Sequence, residues 1–173
     1  MNDTYLTDQM RGAVGRIYER LVSYPISVSD IRRWVIATYF PVEPPREFWD
    51  EEYAKQTRHG GIVAPHEFNP FAWIAQEPRR IPPRADSADI NGIENALGIA
   101  GPEVNHVLNG GMDARYSAVR MRPGDVITSE TAVESYEEKK GRLGVMLMTR
   151  SVSTWTNQHG EVVKSAYQTL IRY

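Results

Sequence analysis

The chain contains no cysteine. That removes disulfides, thiolate nucleophiles and cysteine-held zinc, and leaves carboxylates, histidine, hydroxyls and the backbone to carry any chemistry. It also lacks an excess of either charge: 20 Lys and Arg stand against 22 Asp and Glu. No block of five or six like charges occurs, so neither a nucleic-acid footprint nor a polybasic membrane anchor is supported. No apolar run approaches the roughly 18 residues of a membrane span, and the opening MNDTYLTDQM has no charged-then-apolar signal pattern. The expectation is a cytoplasmic protein whose partners are small molecules or other proteins, with no nucleic acid and no membrane. Histidine is scarce too. His59, His66, His106 and His159 include no pair four apart on one helix, so no metal site is expected. What is present, 173 residues of which 41% are hydrophobic, suits one domain spanning 1–173.

Periodicity divides the chain into a helical front and a strand-rich back. Thr7 can cap a helix through Met10, Val14, Ile17 and Leu21, whose spacing puts one apolar stripe on one face and predicts an N-terminal helical extension over 1–24. Ser27 followed three residues later by Asp30 is a helix-start signal, and the helix should end before Pro41. A short helix is expected over Asp50 to Thr57, stopped by Gly60 and Gly61, and a buried one over Ala64 to Gln76. Residues 77–104 carry Pro78, Pro82, Pro83 and Pro102 among charges and read as a loop or lid. Three antiparallel strands then alternate with period two: Ile127 to Val133, Val145 to Thr149 and Val163 to Ile171. Lys140-Gly141 and Asn157 to Gly160 supply the turns, and Leu108 to Tyr116 adds a further strand. Helices followed by strands argue for an α+β architecture.

The segments FWDEEYA, GGIVAP, LNGGMDARY, MRPGDVIT and WTNQHGEVV together resemble the N-terminal MaoC-type dehydratase domain, over roughly Ile26 to Tyr173. The resemblance implies a hot-dog fold, a curved antiparallel sheet wrapped around a central helix, here with an extra N-terminal helix. It also implies hydration of trans-2-enoyl thioesters, or the reverse dehydration, with coenzyme A or acyl carrier protein as the substrate's thioester carrier and no other cofactor. Such chemistry needs a base to activate water, an acid to protonate the alpha carbon, and donors for the thioester oxygen.

Active members of the family resemble one another in an Asp and a His five residues apart, followed two residues later by a second Asp. Registered on Asp50, that pattern places Glu43 at the first Asp and Phe48 at the His, and phenylalanine cannot shuttle a proton. Glu43 and His66 are therefore the candidate acid/base residues. Phe48, Asp50, Ala64, Pro65, Glu67, Asn69, Gly110 and Gly111 are the candidate substrate-binding positions. The resemblance starts the central helix after Gly60 to Pro65, so backbone amides near Ala64 to Glu67 are expected to face a thioester carbonyl. Asn69 and Glu67 line that end or simply cap the helix. Gly110 and Gly111, beside Asp113 and Arg115, line a pocket or form a bulge with an ordinary surface ion pair. Arg122-Pro123-Gly124-Asp125 reads as a tight turn. Trp34, Phe48, Trp49, Phe68, Phe71 and Trp73 form core or a wide pocket for a bulky acyl group. Arg79, Arg80 and Arg84 contact carrier phosphates or belong to a solvated loop.

The leading expectation is one half of a two-part enoyl-CoA hydratase or 3-hydroxyacyl-thioester dehydratase acting on a bulky or long acyl chain, in lipid or steroid metabolism. This half would shape the pocket while a partner hot-dog subunit supplies Asp and His. The alternatives are a self-sufficient homodimeric hydratase using Glu43 or His66, and a non-catalytic acyl-thioester binding module.

Overall fold

The computed structural model describes residues 4–73, 89–142 and 144–173. Helix α1 is a single turn, Asp8–Arg11, capped by the Thr7 side chain. Strand β1, Ile17–Val22, follows, so the helix expected to run on to Leu21 is only its first turn. The apolar spacing is compatible with a helix, but Gly12 and Gly15 interrupt it and Gly15 takes a φ of 83°, a left-handed turn that glycine adopts without penalty. Met10 is fully buried, whereas Val14 and Ile17 are 48% and 51% exposed, so the predicted stripe does not form.

Helix α2, Val28–Tyr39, is held by a complete capping box. Ser27 Oγ accepts from the Asp30 amide at 3.1 Å while Asp30 Oδ2 accepts from the Ser27 amide at 3.0 Å, satisfying two donors that the helix start would otherwise leave bare. A 3₁₀ turn at Arg46–Phe48 leads to helix α3, Glu51–Lys55, whose N-cap is Asp50. The buried helix expected over Ala64 to Gln76 is not an α-helix where it is described. Residues 62–69 run as extended chain and turn, and a 3₁₀ helix occupies Pro70–Trp73, because Pro65 and Pro70 each lack the amide an α-helix interior requires. Ile74 to Gln76, with Arg79, Arg80 and Arg84, lie outside the described residues. Within the span read as a lid, Gly92–Leu97 forms helix α4, closed by Gly98 in the left-handed conformation.

Strands β2 (Val107–Tyr116), β3 (Thr128–Gly141), β4 (Gly144–Thr156) and β5 (Val162–Arg172) complete one antiparallel sheet. Its five strands run in the order β1-β3-β4-β5-β2. The β4–β5 hairpin turns over Asn157 to Gly160 as the sequence predicts. Lys140 and Gly141, expected to form the first turn, are instead still paired in β3 with Val145 and Gly144, and the chain reverses just beyond them. Bulges interrupt the ladders between Asn109 and Gly111 and between Val133 and Ser135, which bends those strands and increases their twist.

The main core lies at one end of the sheet. Ile31 and Val35 of α2 pack there with Phe48, Ala54, Val63, Phe68, Met121, Ile127 and Val163. A smaller cluster, Ala13, Leu97 and Val133 with Tyr18 and Tyr136 packed against it, holds α4 to the sheet. Among the described residues, no helix is long and apolar enough to cross a membrane.

Candidate active site

Phe48 is 6% exposed and lies in the main core. Its ring is tilted against Tyr39 at 6.3 Å between centroids. It faces an open cavity of about 450 Å³ lined by Trp34, Thr38, Tyr39, Glu47, Phe48, Pro65, His66, Glu67 and Arg120. Trp34 meets Phe68 edge to face at 5.6 Å, and the Trp49 indole donates to Pro44 O at 3.0 Å. These contacts fix the aromatic wall by packing and by satisfying the polar edge of the indole. The wall is largely apolar, with cation and proton carriers at one side.

Those carriers come from four parts of the chain. Arg120, in the segment after β2, is half-buried. It donates to Ala64 O at 2.6 Å and places its guanidinium carbon 6.0 Å from the Phe48 ring centroid, and burial lowers its pKa. His66 stacks on Tyr116 at 4.9 Å. Its pKa is lowered by burial first and by the Arg120 charge second, so the imidazole is held neutral near pH 7 and can accept a proton. The Tyr116 hydroxyl donates to Glu67 Oε1. Burial together with that bond pushes the phenol up to about 12. Lys164 of β5 reaches within 3.9 Å of Glu67 Oε2 and lies over both Trp155 and Tyr116. Arg120, Tyr116 and Lys164 were not found by reading the sequence. They lie far along the chain from His66 and Glu67, and no local pattern links them.

The structure gathers only some of the expected residues. Phe48, Pro65, His66 and Glu67 line one cavity. Glu43 is exposed on the proline-rich turn and does not line the cavity at Phe48. Asp50 caps α3 by accepting from the Tyr53 amide at 3.0 Å and pairs with Arg46 at 2.5 Å. Those bonds hold its carboxyl below the usual range. The Ala64 amide is occupied by Met121 O at 2.8 Å, Pro65 has no amide to offer, and no α-helix begins here to add a dipole. Of the stretch Ala64 to Glu67, the His66 and Glu67 amides are the ones with no protein acceptor among the described residues. Asn69 accepts from the Phe71 amide and lines a separate groove beside α2. Gly110 and Gly111 belong to the β2 bulge, on an edge strand that lines none of these cavities, and Arg115 stacks over Tyr167 rather than pairing with Asp113.

The five-strand order and the apolar cavity beside the segment 62–68 define a hot-dog domain of the MaoC-like dehydratase class. A family model described as the FAS1-like, dehydratase domain region matches residues 12–166, and the chain belongs to that family. Comparison with curated proteins returns no match. Among solved structures, the chain is similar to the MaoC-like dehydratase from Rhodospirillum rubrum, with 21% identity and a TM-score of 0.56 over 93% of this chain and 92% of that one. It is similar to a chain of the ChsH1-ChsH2 complex from Mycobacterium tuberculosis at 17% identity, TM-score 0.66, covering 95% and 87%. It is also similar to a chain of the HadBC (3R-hydroxyacyl-ACP dehydratase) complex from the same organism at 17%, TM-score 0.50, covering 89% and 96%.

Proposed function

We propose that this chain is the pocket-shaping half of a two-part, cytoplasmic enoyl-thioester hydratase or 3-hydroxyacyl-thioester dehydratase, and that a partner hot-dog subunit supplies the catalytic Asp and His. The observation that carries the reading is Phe48: an apolar ring, buried, stands on the cavity wall at the position where the resemblance calls for histidine. Hydration requires a base to take a proton from water as the oxygen adds to C3, and an acid to return a proton to C2. Neither Phe48 nor the exposed Glu43 meets that need from this chain. Trp34, Tyr39, Phe48 and Pro65 instead offer an open apolar surface that suits a bulky or long acyl group of lipid or steroid type. The two similar hot-dog complexes support the pairing. A single sheet with edges at β1 and β2 leaves strand hydrogen bonds for a partner to cover.

A second reading rests on His66, which lines the same cavity and stays neutral near pH 7. A self-sufficient homodimer would use it as the base.

The test is to purify the chain alone and follow the absorbance of conjugated enoyl-CoA substrates of short, long and steroid type. The expected result is a folded protein with no turnover, and activity on addition of a hot-dog subunit carrying Asp and His. Turnover at ordinary enzyme rates by the lone chain, lost by at least about 100-fold in His66→Ala, would overturn the first reading in favour of the second.

A further inference from the structure

Beside the apolar cavity lies a groove with the opposite character. A cavity of about 440 Å³ is lined by Arg58, His59, His66, Ser117, Ala118, Arg120 and Arg122. A neighbouring one of about 340 Å³ shares His59, Ala118, Arg120 and Arg122 with it and adds Asp125, Asn157, His159 and Glu161, so the two adjoin as a basic channel with an acidic far end. That channel joins the acyl-sized cavity through His66 and Arg120, which line both.

In the larger cavity three guanidinium groups converge and no carboxylate is among the lining residues; Asp125 and Glu161 line the smaller one. Arg120 donates to Ala64 O, Arg122 Nη1 donates to His59 O at 2.8 Å, and Arg58 Nε approaches His59 Nε2 at 3.4 Å. Among the described residues none of the three forms an ion pair. Arg20, Arg32, Arg46, Arg150 and Arg172 all do. The acids nearby are otherwise engaged or stand at the ends. Asp125 accepts from the Arg122 amide at 2.7 Å and from Gln158 at 3.1 Å, Glu161 accepts from Asn157 at 2.8 Å, and Glu47 lines the apolar cavity. Like charges held together without a counter-charge repel one another, and each guanidinium retains donors that its single backbone bond leaves free. The two histidines register this field: Arg120 and Arg58 lower the pKa of His59 beyond the effect of burial.

We propose that the channel formed by Arg58, His59, Arg120 and Arg122 binds a phosphate group of the thioester carrier while the acyl chain occupies the cavity at Phe48. Arginine is suited to the task because its planar fork holds two phosphate oxygens at once. The identification of the phosphate as the carrier's rests on the proposed function; the anion preference of the channel does not. Two sources share this chemistry: the phosphates of coenzyme A, and the single phosphate of a phosphopantetheine arm.

The experiment is isothermal titration of the full chain with coenzyme A, phosphopantetheine, pantetheine and inorganic pyrophosphate. It compares wild type with Arg58→Ser/Arg122→Gln, both exposed positions, and with Arg142→Ser on the distant β3–β4 turn. Thermal unfolding confirms that each variant folds. The expected result is that coenzyme A binds wild type and Arg142→Ser alike, loses about tenfold or more affinity in the double variant, and weakens with added salt. Pantetheine should bind weakly and equally in all three. Equal loss for phosphopantetheine assigns the channel to the phosphate next to pantetheine, and loss for coenzyme A alone assigns it to the nucleotide end. Unchanged coenzyme A affinity in the double variant, pantetheine binding as tightly as coenzyme A, or no binding to wild type would overturn the inference. A complex that never turns over substrate would remove the proposed function while leaving this binding result standing.

Discussion

Arg172 and Glu94 form a bidentate ion pair that is wholly shielded from solvent, with Nη1 to Oε2 at 2.7 Å, Nη2 to Oε1 at 2.8 Å and both side chains 0% exposed. Arg172 ends β5 and Glu94 lies in α4, so the pair fastens the chain that follows residue 88 onto the sheet. Thr149 accepts from Arg172 at 2.7 Å, Ile90 O accepts at 3.1 Å, and the Tyr136 hydroxyl donates to Glu94 at 2.9 Å. Burial and the Glu94 charge push the Tyr136 phenol upward. The Arg172 Nε alone lacks a partner among the described residues.

Removing one member of this pair leaves a charge buried without its counter-ion. Glu94→Leu is expected to lower unfolding free energy by about 3–5 kcal/mol, measured by urea denaturation. The double change Glu94→Leu/Arg172→Met should recover most of that loss, because a well-packed apolar pair avoids desolvating two ions. A double variant less stable than Glu94→Leu would show that the pair does more than balance charge.

At the β2 bulge the two glycines are required for different reasons: Gly111 takes a φ of 126°, whereas Gly110 is confined by crowding. A Cβ on Gly110 would stand 2.9 Å from Ile171 Cγ1 and 3.1 Å from Thr169 Cγ2, both on the facing strand. Gly110→Ala should therefore destabilise the fold by about 1–3 kcal/mol through overpacking. Because the bulge lies away from the cavity at Phe48, coenzyme A affinity in the same variant should stay at the wild-type value.

How much of this was legible depended on whether the information was local. The Ser27–Asp30 reciprocal cap lies within four residues, so α2 could be placed at both ends from the sequence. The turn over Asn157 to Gly160 marks the β4–β5 hairpin in the same way, while Lys140-Gly141 marks the β3–β4 hairpin only approximately, since both residues still belong to the ladder and the reversal follows them. Strand β1 could not be read, because its partner is remote: Leu21 opposes Ser129 and Arg20 opposes Glu130, while the local apolar spacing imitates a helix. The alternation in β5 was seen through Val163, Ser165, Tyr167, Thr169 and Ile171. The buried charge is on the other face, where Arg172 opposes Leu147. A fully buried arginine has no signature until Glu94, 78 residues earlier, is brought to it. The site divides likewise. Phe48, Pro65, His66 and Glu67 fall close together in sequence and share a cavity, whereas Arg120 joins them only through the fold.

Restoring the family's histidine should not restore catalysis to the lone chain. In Phe48→His the imidazole would be buried beside Arg120, while Glu43 remains exposed on its turn, so no carboxylate from that position would orient it. The expectation is no measurable loss of enoyl-CoA absorbance and a stability cost of about 2–4 kcal/mol for exchanging a buried ring for a polar one. Turnover by this variant would place Glu43 within reach of residue 48 in solution and count against a division of labour between subunits.

His59 and His66 give the channel a pH signature whose sign follows from their shared direction. Both pKa values are lowered from 6.5, by burial first and Arg120 second. Below about 6.5 the unfolded chain then binds more protons than the folded one. Their contribution to stability is present above that pH and is lost as pH falls through the folded values. Arg120→Met removes part of the repulsion, so both imidazole midpoints, followed by NMR through the ring carbon-bound protons, should move upward without reaching 6.5, since burial persists. The acid-side loss of stability should shrink in the same variant. A phosphate in the channel should act in the same direction on wild type, because an anion favours the charged imidazole. Adding pyrophosphate should raise both midpoints in wild type and raise them less in Arg58→Ser/Arg122→Gln. Midpoints indifferent to both Arg120→Met and pyrophosphate would mean that burial alone sets them and that the arginines do not act on the channel as one field.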